Sequence, residues 1–292
     1  MHAGNIFAYL CAWLVAKLQG GQIVLRIEDL DRERSKKIYS NQLLFDLESL
    51  GLYWDEGPIY QQDREEAYDQ AFEYLFDQGL IYPCFCTRAD LHAASAPHVG
   101  EHFVYARTCK YLSRQEIETK SLLRNPAYRL SVTDQTIRFD DLIQGQCSVD
   151  LAHECGDFIV RRFDGNFAYQ LAVVVDDAAQ GVNSVVRGVD LLGSSPQQMY
   201  LQSLLGYEHP QYAHIPLLVD ETGRRLAKRN KDAALDQLLV RFKSPEGVIG
   251  HIAYISGLIE KDEPVSPQQL LDQLDISAFE VWRSSKDAIL FR

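Results

Sequence analysis

The sequence has no uninterrupted run of about 18 apolar residues, the length a helix needs to cross a bilayer. Its closest approach is Ile6 to Ala16. That stretch has no basic segment before it, and Lys17 follows where a leader's small-residue cleavage site would lie. It reads as a buried helix, and no membrane association is expected. Basic residues are in deficit, 29 Lys and Arg against 41 Asp and Glu, for a net charge of −12 over 292 residues. This excludes a protein that coats nucleic acid non-specifically, because such binding runs on phosphate neutralisation; a local basic patch remains compatible with it. Cysteine is sparse too. Cys11, Cys84, Cys86, Cys109, Cys147 and Cys155 are irregularly spaced, and Cys84 and Cys86 are too close to suit a bridge. A disulfide framework is excluded, and a reducing cytoplasmic setting with thiolate ligands fits better. Internal repeats and low-complexity linkers are absent, so any domains pack closely. A composition 46% hydrophobic and 24% charged is that of an ordinary globular protein.

The chain opens with MHAGN and a helical stretch to about Gln19, closed by Gly20-Gly21. QIVLRIED, from Gln22 to Asp29, is apolar and β-branched, as in a buried strand. Helices follow around Lys37–Leu50 and Arg64–Leu80, and alternating strand and helix predicts a parallel sheet with crossovers. From Cys84 to about Asp150 the character changes, with four of the six cysteines, three of the eight histidines, and strands at AYRLSV and TIRFDD. This reads as a small inserted domain. DFIVRRFDGNFAYQLAVVVDD predicts a hairpin at Asp164-Gly165 leading into an apolar strand, Leu171–Val175. A helix is predicted around Pro196–Leu205, then a second hairpin with Thr222-Gly223 at its tip, then a mainly helical region after about Asp232.

Four short segments carry chemistry. His2-Ala3-Gly4-Asn5 sits where a loop enters a helix, and free amides with the positive end of the helix dipole make an anion site there. In LRIEDLDRERS, Glu28 and Asp29 fall at the carboxyl end of a predicted parallel strand, where open α/β sheets place ligands. Residues 221–231 carry five basic side chains against one acidic, a local reversal suited to phosphate. Cys84, Cys86 and Cys109 are three thiols within 26 residues, and zinc wants four tetrahedral ligands. Ordinary ligand chemistry offers His92, His98 or His102 as the fourth.

In this order the segments resemble the nucleotide-binding core of class I glutamyl-tRNA synthetases over about residues 1–235. HAGN looks like the HIGH motif, RIEDLDRERS like the glutamate-pocket strand, and RRLAKR like the KMSKS loop. VVRGVDLL and the Cys-x-Cys … Tyr-x3-Cys set are similar to a shorter paralogous family, the glutamyl-Q tRNA(Asp) synthetases. The resemblance implies an α/β fold with a Rossmann-like parallel-sheet catalytic domain (residues 1–82 and 156–205). It further implies an inserted zinc-containing subdomain (83–155), then the KMSKS-like loop and a helical C-terminal region (206–292). Activity follows as ATP-dependent formation of glutamyl-adenylate and transfer of glutamate to queuosine in tRNA(Asp), with Mg²⁺ accompanying ATP, by a monomer.

By resemblance His2, Gly4, Asn5 and Lys228 would serve ATP, with His2, Asn5 and Lys228 catalytic. Glu28 would bind the substrate ammonium, Tyr169 and Arg187 would complete the glutamate pocket, and Cys84, Cys86, Tyr105 and Cys109 would hold structural Zn²⁺. Two departures stand out in RRLAKR: Arg225 where the family often has Lys, and Ala227 where it often has Ser. The family also carries a strand and an RFAPSPTG-like loop ahead of the HIGH motif, whereas Met1 falls inside the motif. A sheet lacking that strand and weak activity of this chain are therefore expected. So is an enzyme without the anticodon-binding domains of a full synthetase. The rival expectations are a glutamyl-tRNA synthetase fragment charging tRNA(Glu), and a catalytically impaired zinc-containing RNA-binding paralogue.

Overall fold

A computed structural model describes residues 1–31, 33, 35–87, 90, 104–226, 234–283 and 288–291. Helix α1 (Ala3–Leu18) is capped by His2, whose side chain accepts from the Asn5 amide, and Gly20 at φ +69° lets the chain turn away after it. Its long apolar run buries Ile6, Phe7, Leu10, Cys11, Leu14 and Val15, so the helix is central. Each large side chain buried this fully contributes roughly 1.5–3 kcal/mol. Among the described residues no helix is long and apolar enough to cross a membrane.

Strand β1 (Val24–Ile27) is shorter than the segment predicted from sequence. Helix α2 (Lys37–Ser49) carries the chain across to β2 (Glu56–Tyr60), which runs parallel to β1. Gly57 and Pro58 hid β2 from pattern reading. Gly57 takes φ +102° and lies so close to β1 that a Cβ would collide with the Leu25 carbonyl. A 3-10 turn leads into α3 (Glu65–Asp77), and β3 (Ile81–Cys84) follows. Helix α4 (Arg114–Ser121) precedes β4 (Ala127–Leu130), and β3, β4 and β7 (Phe158–Arg161) form an antiparallel sheet in that order. Between them β5 (Thr136–Asp141) and β6 (Gly145–Asp150) make a hairpin. Its tip places Ile143 in the same core as α1.

The turn at Asp164-Gly165 forms as predicted, with Arg161 bridged to Phe167. The strand predicted at Leu171–Val175 is instead the middle of helix α5 (Tyr169–Ala179). All five residues from Leu171 to Val175 are buried, so the run shows no polar face, and periodicity cannot separate a buried strand from a helix. Strand β8 (Ser184–Gly188) then pairs in parallel with β9 (Gln211–Ile215) across α6 (Ser195–Leu205).

Parallel pairing among the described residues is thus confined to two-stranded sheets. Among the described residues β1 pairs with β2 alone and β8 with β9 alone. After β10 (Leu217–Val219), the second predicted hairpin closes with Val219 bridged to Arg225. Helices α7 (Leu235–Phe242), α8 (Pro245–Ile255) and α9 (Pro267–Gln273) make the C-terminal region helical, and β11 (Ala288–Leu290) returns to pair with β10. The region is locked to α1 by Trp282. Its ring meets Phe7 edge-on at 5.4 Å, and its indole N–H donates to the Ser256 carbonyl at 2.8 Å.

Candidate active site and metal centre

The entry to α1 is held by its own cap. His2 Nδ1 accepts from the Asn5 amide at 3.3 Å, and the imidazole lies over Gly4, where a Cβ would come within 3.2 Å of the ring. Asn5 lines a cavity of about 600 Å³ together with Tyr9, Arg26, Glu28 and Tyr39. Glu28 follows the last residue of β1 and keeps 45% of its side chain exposed, with Arg26 at 3.5 Å. Desolvation holds its carboxyl above the usual range against the pull of Arg26.

Arg26 is anchored from behind, donating to Asp177 at 2.8 Å and to Gln180 at 2.9 Å. The neighbouring Asp176 accepts from Arg64, Gln61 and Tyr68 at 2.7, 2.9 and 2.7 Å. Tyr169 opens α5 between the remaining pocket residues: burial and the Glu28 charge raise its hydroxyl, and Arg187 opposes them. Arg187 projects from β8 and is 8% exposed. It donates through Nη2 to Ser195 Oγ at 2.8 Å and through Nε to His214 Nε2 at 3.1 Å.

Of the residues singled out from sequence, Asn5 and Glu28 therefore share one cavity wall, and Tyr169 feels both Glu28 and Arg187. Lys228 and Ala227 lie outside the described residues. Upstream in the same segment, Arg225 pairs with Asp190 just beyond β8.

The sulfurs of Cys84, Cys86 and Cys109 lie within 4.8 Å of one another. The Tyr105 hydroxyl is 3.4 Å from the Cys84 sulfur and 3.6 Å from the Cys86 sulfur, and Cys86 and Cys109 are 3.6 Å apart. Tetrahedral zinc with bonds of about 2.3 Å needs sulfurs roughly 3.7 Å apart, so this donor set fits the ion. Arg129 serves the cluster from outside, donating to the Cys84 sulfur at 3.3 Å with its guanidinium 3.8 Å from the Tyr105 ring centroid. Burial pushes the Cys84 thiol up, but Tyr105 and Arg129 hold it below the usual thiol range. His92, His98 and His102 lie outside the described residues.

The family model for the catalytic domain of class I tRNA synthetases (E and Q) matches residues 1–246. The chain belongs to this family. It is 44% identical over 289 residues to the glutamyl-Q tRNA(Asp) synthetase of Symbiobacterium thermophilum, covering 95% of this chain and 89% of the relative. Against the enzyme of that name from Nitratidesulfovibrio vulgaris it is 41% identical, covering 94% and 88%. These matches place the chain among the glutamyl-Q tRNA(Asp) synthetases within the class I ligases. The glutamate-tRNA synthetase structure from Elizabethkingia anophelis superposes with a TM-score of 0.82 at 23% identity, which shows the shared fold. All of this chain is covered there, and it spans 66% of that synthetase's length.

Sequence reasoning left out Arg26, Asp177, Ser195, His214, Asp141 and Arg129. Arg26 sits inside the quoted RIED segment, and Asp176-Asp177 directly follow the segment read as a strand. The signal was present, but their partners are remote: 151 residues separate Arg26 from Asp177, and 73 separate Asp141 from His214.

Proposed function

We propose that the chain activates L-glutamate with ATP and transfers it to the queuosine base of tRNA(Asp). The supporting observation is that Tyr169 interacts both with Glu28, which lines the cavity at the α1 entry, and with Arg187, in a chain whose 41–44% identical relatives bear that enzyme's name. Glu28 receives the substrate ammonium, and Arg187 grips the side-chain carboxylate, which a guanidinium can bind bidentately. A glutamine amide would present donors to donors there, so the site rejects it. His2, Asn5 and the α1 amides face the ATP phosphates, and Gly4 makes room for the adenine. Lys228 supplies charge to the same phosphates.

In the first step an oxygen of the α-carboxylate attacks the α-phosphorus, the bond to the bridging oxygen breaks, and pyrophosphate leaves. In the second a hydroxyl of the queuosine cyclopentenediol attacks the activated carbonyl carbon and AMP leaves. Mg²⁺ arriving with ATP neutralises phosphate charge. The protein's work is positioning and electrostatic stabilisation. Cys84, Cys86, Tyr105 and Cys109 hold a structural Zn²⁺ that ties the end of β3 to residues 105–109. The division into residues 1–82 with 156–205, 83–155 and 206–292, and action as a monomer, belong to the same reading.

The test is glutamate-dependent ATP–pyrophosphate exchange, followed by charging of tRNA(Asp) with labelled glutamate and nuclease mapping. Label in the anticodon fragment, only where queuosine is present, supports the reading. Label at the 3′ end of tRNA(Glu) overturns it.

A further inference from the structure

Asp141 ends β5, Arg187 lies in β8, Ser195 opens α6 and His214 lies in β9. They come from four elements and meet in the interior, with exposures of 2, 8, 0 and 0% respectively. Asp141 Oδ1 accepts from the amides of Ile143 at 3.0 Å, Gln144 at 2.9 Å and His214 at 3.1 Å, while Oδ2 stands 2.6 Å from His214 Nδ1. Burial would raise this carboxyl, but those donors leave it below the usual carboxylate range.

An ionised carboxylate only accepts, so Nδ1 of His214 carries its hydrogen and Nε2 is left as an acceptor. A guanidinium only donates, and Nε of Arg187 meets that acceptor at 3.1 Å. Ser195 Oγ accepts from Arg187 Nη2 at 2.8 Å and lies 3.1 Å from the same imidazole nitrogen. Tyr212 packs under the guanidinium at 5.1 Å and stacks beside His214 with 21° between the planes. The Nε and Nη2 side of Arg187 is thereby fixed, and the same guanidinium meets the Tyr169 hydroxyl of the proposed pocket. Because a neutral imidazole separates Asp141 from Arg187, and no carboxylate among the described residues pairs with the guanidinium directly, its charge is kept for the substrate.

We propose that Asp141, His214 and Ser195 are positioning residues that set the orientation of Arg187, and through it the preference for an acidic amino acid over its amide. This rests on the reading of Arg187 as the partner of the substrate's side-chain carboxylate. Asp141→Asn preserves volume but cannot serve every partner. Its amide group faces either the backbone donors or His214 Nδ1, and in the second case Nε2–H turns toward the donors of Arg187.

The experiment is calorimetric titration of the full chain with glutamate, glutamine and a non-hydrolysable ATP analogue, for wild type, Asp141→Asn, Ser195→Ala and Arg187→Gln. Small misplacements of a positioning group cost up to about 10²-fold. We expect Asp141→Asn to weaken glutamate binding about tenfold or more and to narrow the glutamate-over-glutamine ratio alike, with ATP-analogue affinity within about twofold of wild type. Ser195→Ala should follow the same pattern at about threefold to tenfold, on the scale of one hydrogen bond. It decides the matter if Asp141→Asn does not fold. Wild-type glutamate affinity and selectivity in the folded variants, with Arg187→Gln binding poorly, would overturn the positioning role and leave the pocket intact. Equal losses for glutamate and the ATP analogue would also overturn it, as a general structural defect. Unchanged glutamate binding by Arg187→Gln would remove the pocket reading itself, and the positioning role with it.

Discussion

Arg26 and Asp177 meet at 2.8 Å across 151 residues of sequence, the guanidinium on β1 and the carboxylate on α5. Asp177 is buried, and Arg26 stands 3.5 Å from Glu28, so this pair joins the core to the cavity wall. Asp177→Asn should weaken glutamate binding about threefold to tenfold, the scale of coupling between touching residues. It should also lower folding stability by about 1–3 kcal/mol. Denaturant titration and calorimetry on one preparation check both, and an unchanged glutamate affinity would disconnect the pair from the site.

Glu28 is the side chain proposed to hold the substrate ammonium. A charge-assisted hydrogen bond is worth about 1.5–3 kcal/mol, and each 1.4 kcal/mol is about tenfold. Glu28→Gln should therefore raise the glutamate dissociation constant about ten- to hundredfold while leaving zinc content unchanged. Equal affinity in the variant would assign the ammonium to another group.

The pH response follows from Asp141. Its folded-state pKa is lowered, so its stabilising contribution is present above the unfolded value of about 3.9 and is lost as pH falls through the folded value. Urea midpoints for wild type should exceed those of Asp141→Asn near pH 6, and the gap should shrink below about pH 4. A constant gap across that window would contradict an ionised Asp141 in the native protein.

Metal content tests the cysteine cluster. Wild-type chain should carry about one zinc, and Cys109→Ser should lose it with a lowered Tm, because an incomplete donor set binds a structural ion poorly. Tyr105→Phe should release zinc to a chelator faster than wild type. Retention at wild-type strength would move the fourth ligand to His92, His98 or His102.

Lys228→Ala should slow adenylate formation about 10²- to 10³-fold, the loss seen when one donor to transition-state charge is removed. Pyrophosphate exchange at the wild-type rate would take Lys228 out of the mechanism.

Local pattern was enough for the helices that begin with a cap or end at glycine. Gly20, Gly51 and Gly206 take left-handed φ values within two residues of the ends of α1, α2 and α6, and those three helices lie where periodicity placed them. It failed where burial erased the polar face, at Leu171–Val175, and where a glycine and a proline interrupted a strand, at Gly57-Pro58. Candidate site residues were legible when their chemistry lay in a compact segment, as in HAGN, RIED and the Cys-x-Cys pair. Ser195 and His214 gave no such signal, since a lone serine or histidine acquires meaning only from the group beside it.

By itself the sequence determined which segments are helices with strong stops, which carboxylates, guanidinium and thiols are available, and the resemblance to a tRNA synthetase core. Tertiary structure alone decided that Asp141, Arg187, Ser195 and His214 form one hydrogen-bonded chain, and that Arg129 stands over Tyr105. The physical reason is range. Capping and periodicity act over three or four residues, whereas a buried polar group must find its partner wherever the packed core brings one, because leaving it unsatisfied costs more than the bond itself contributes.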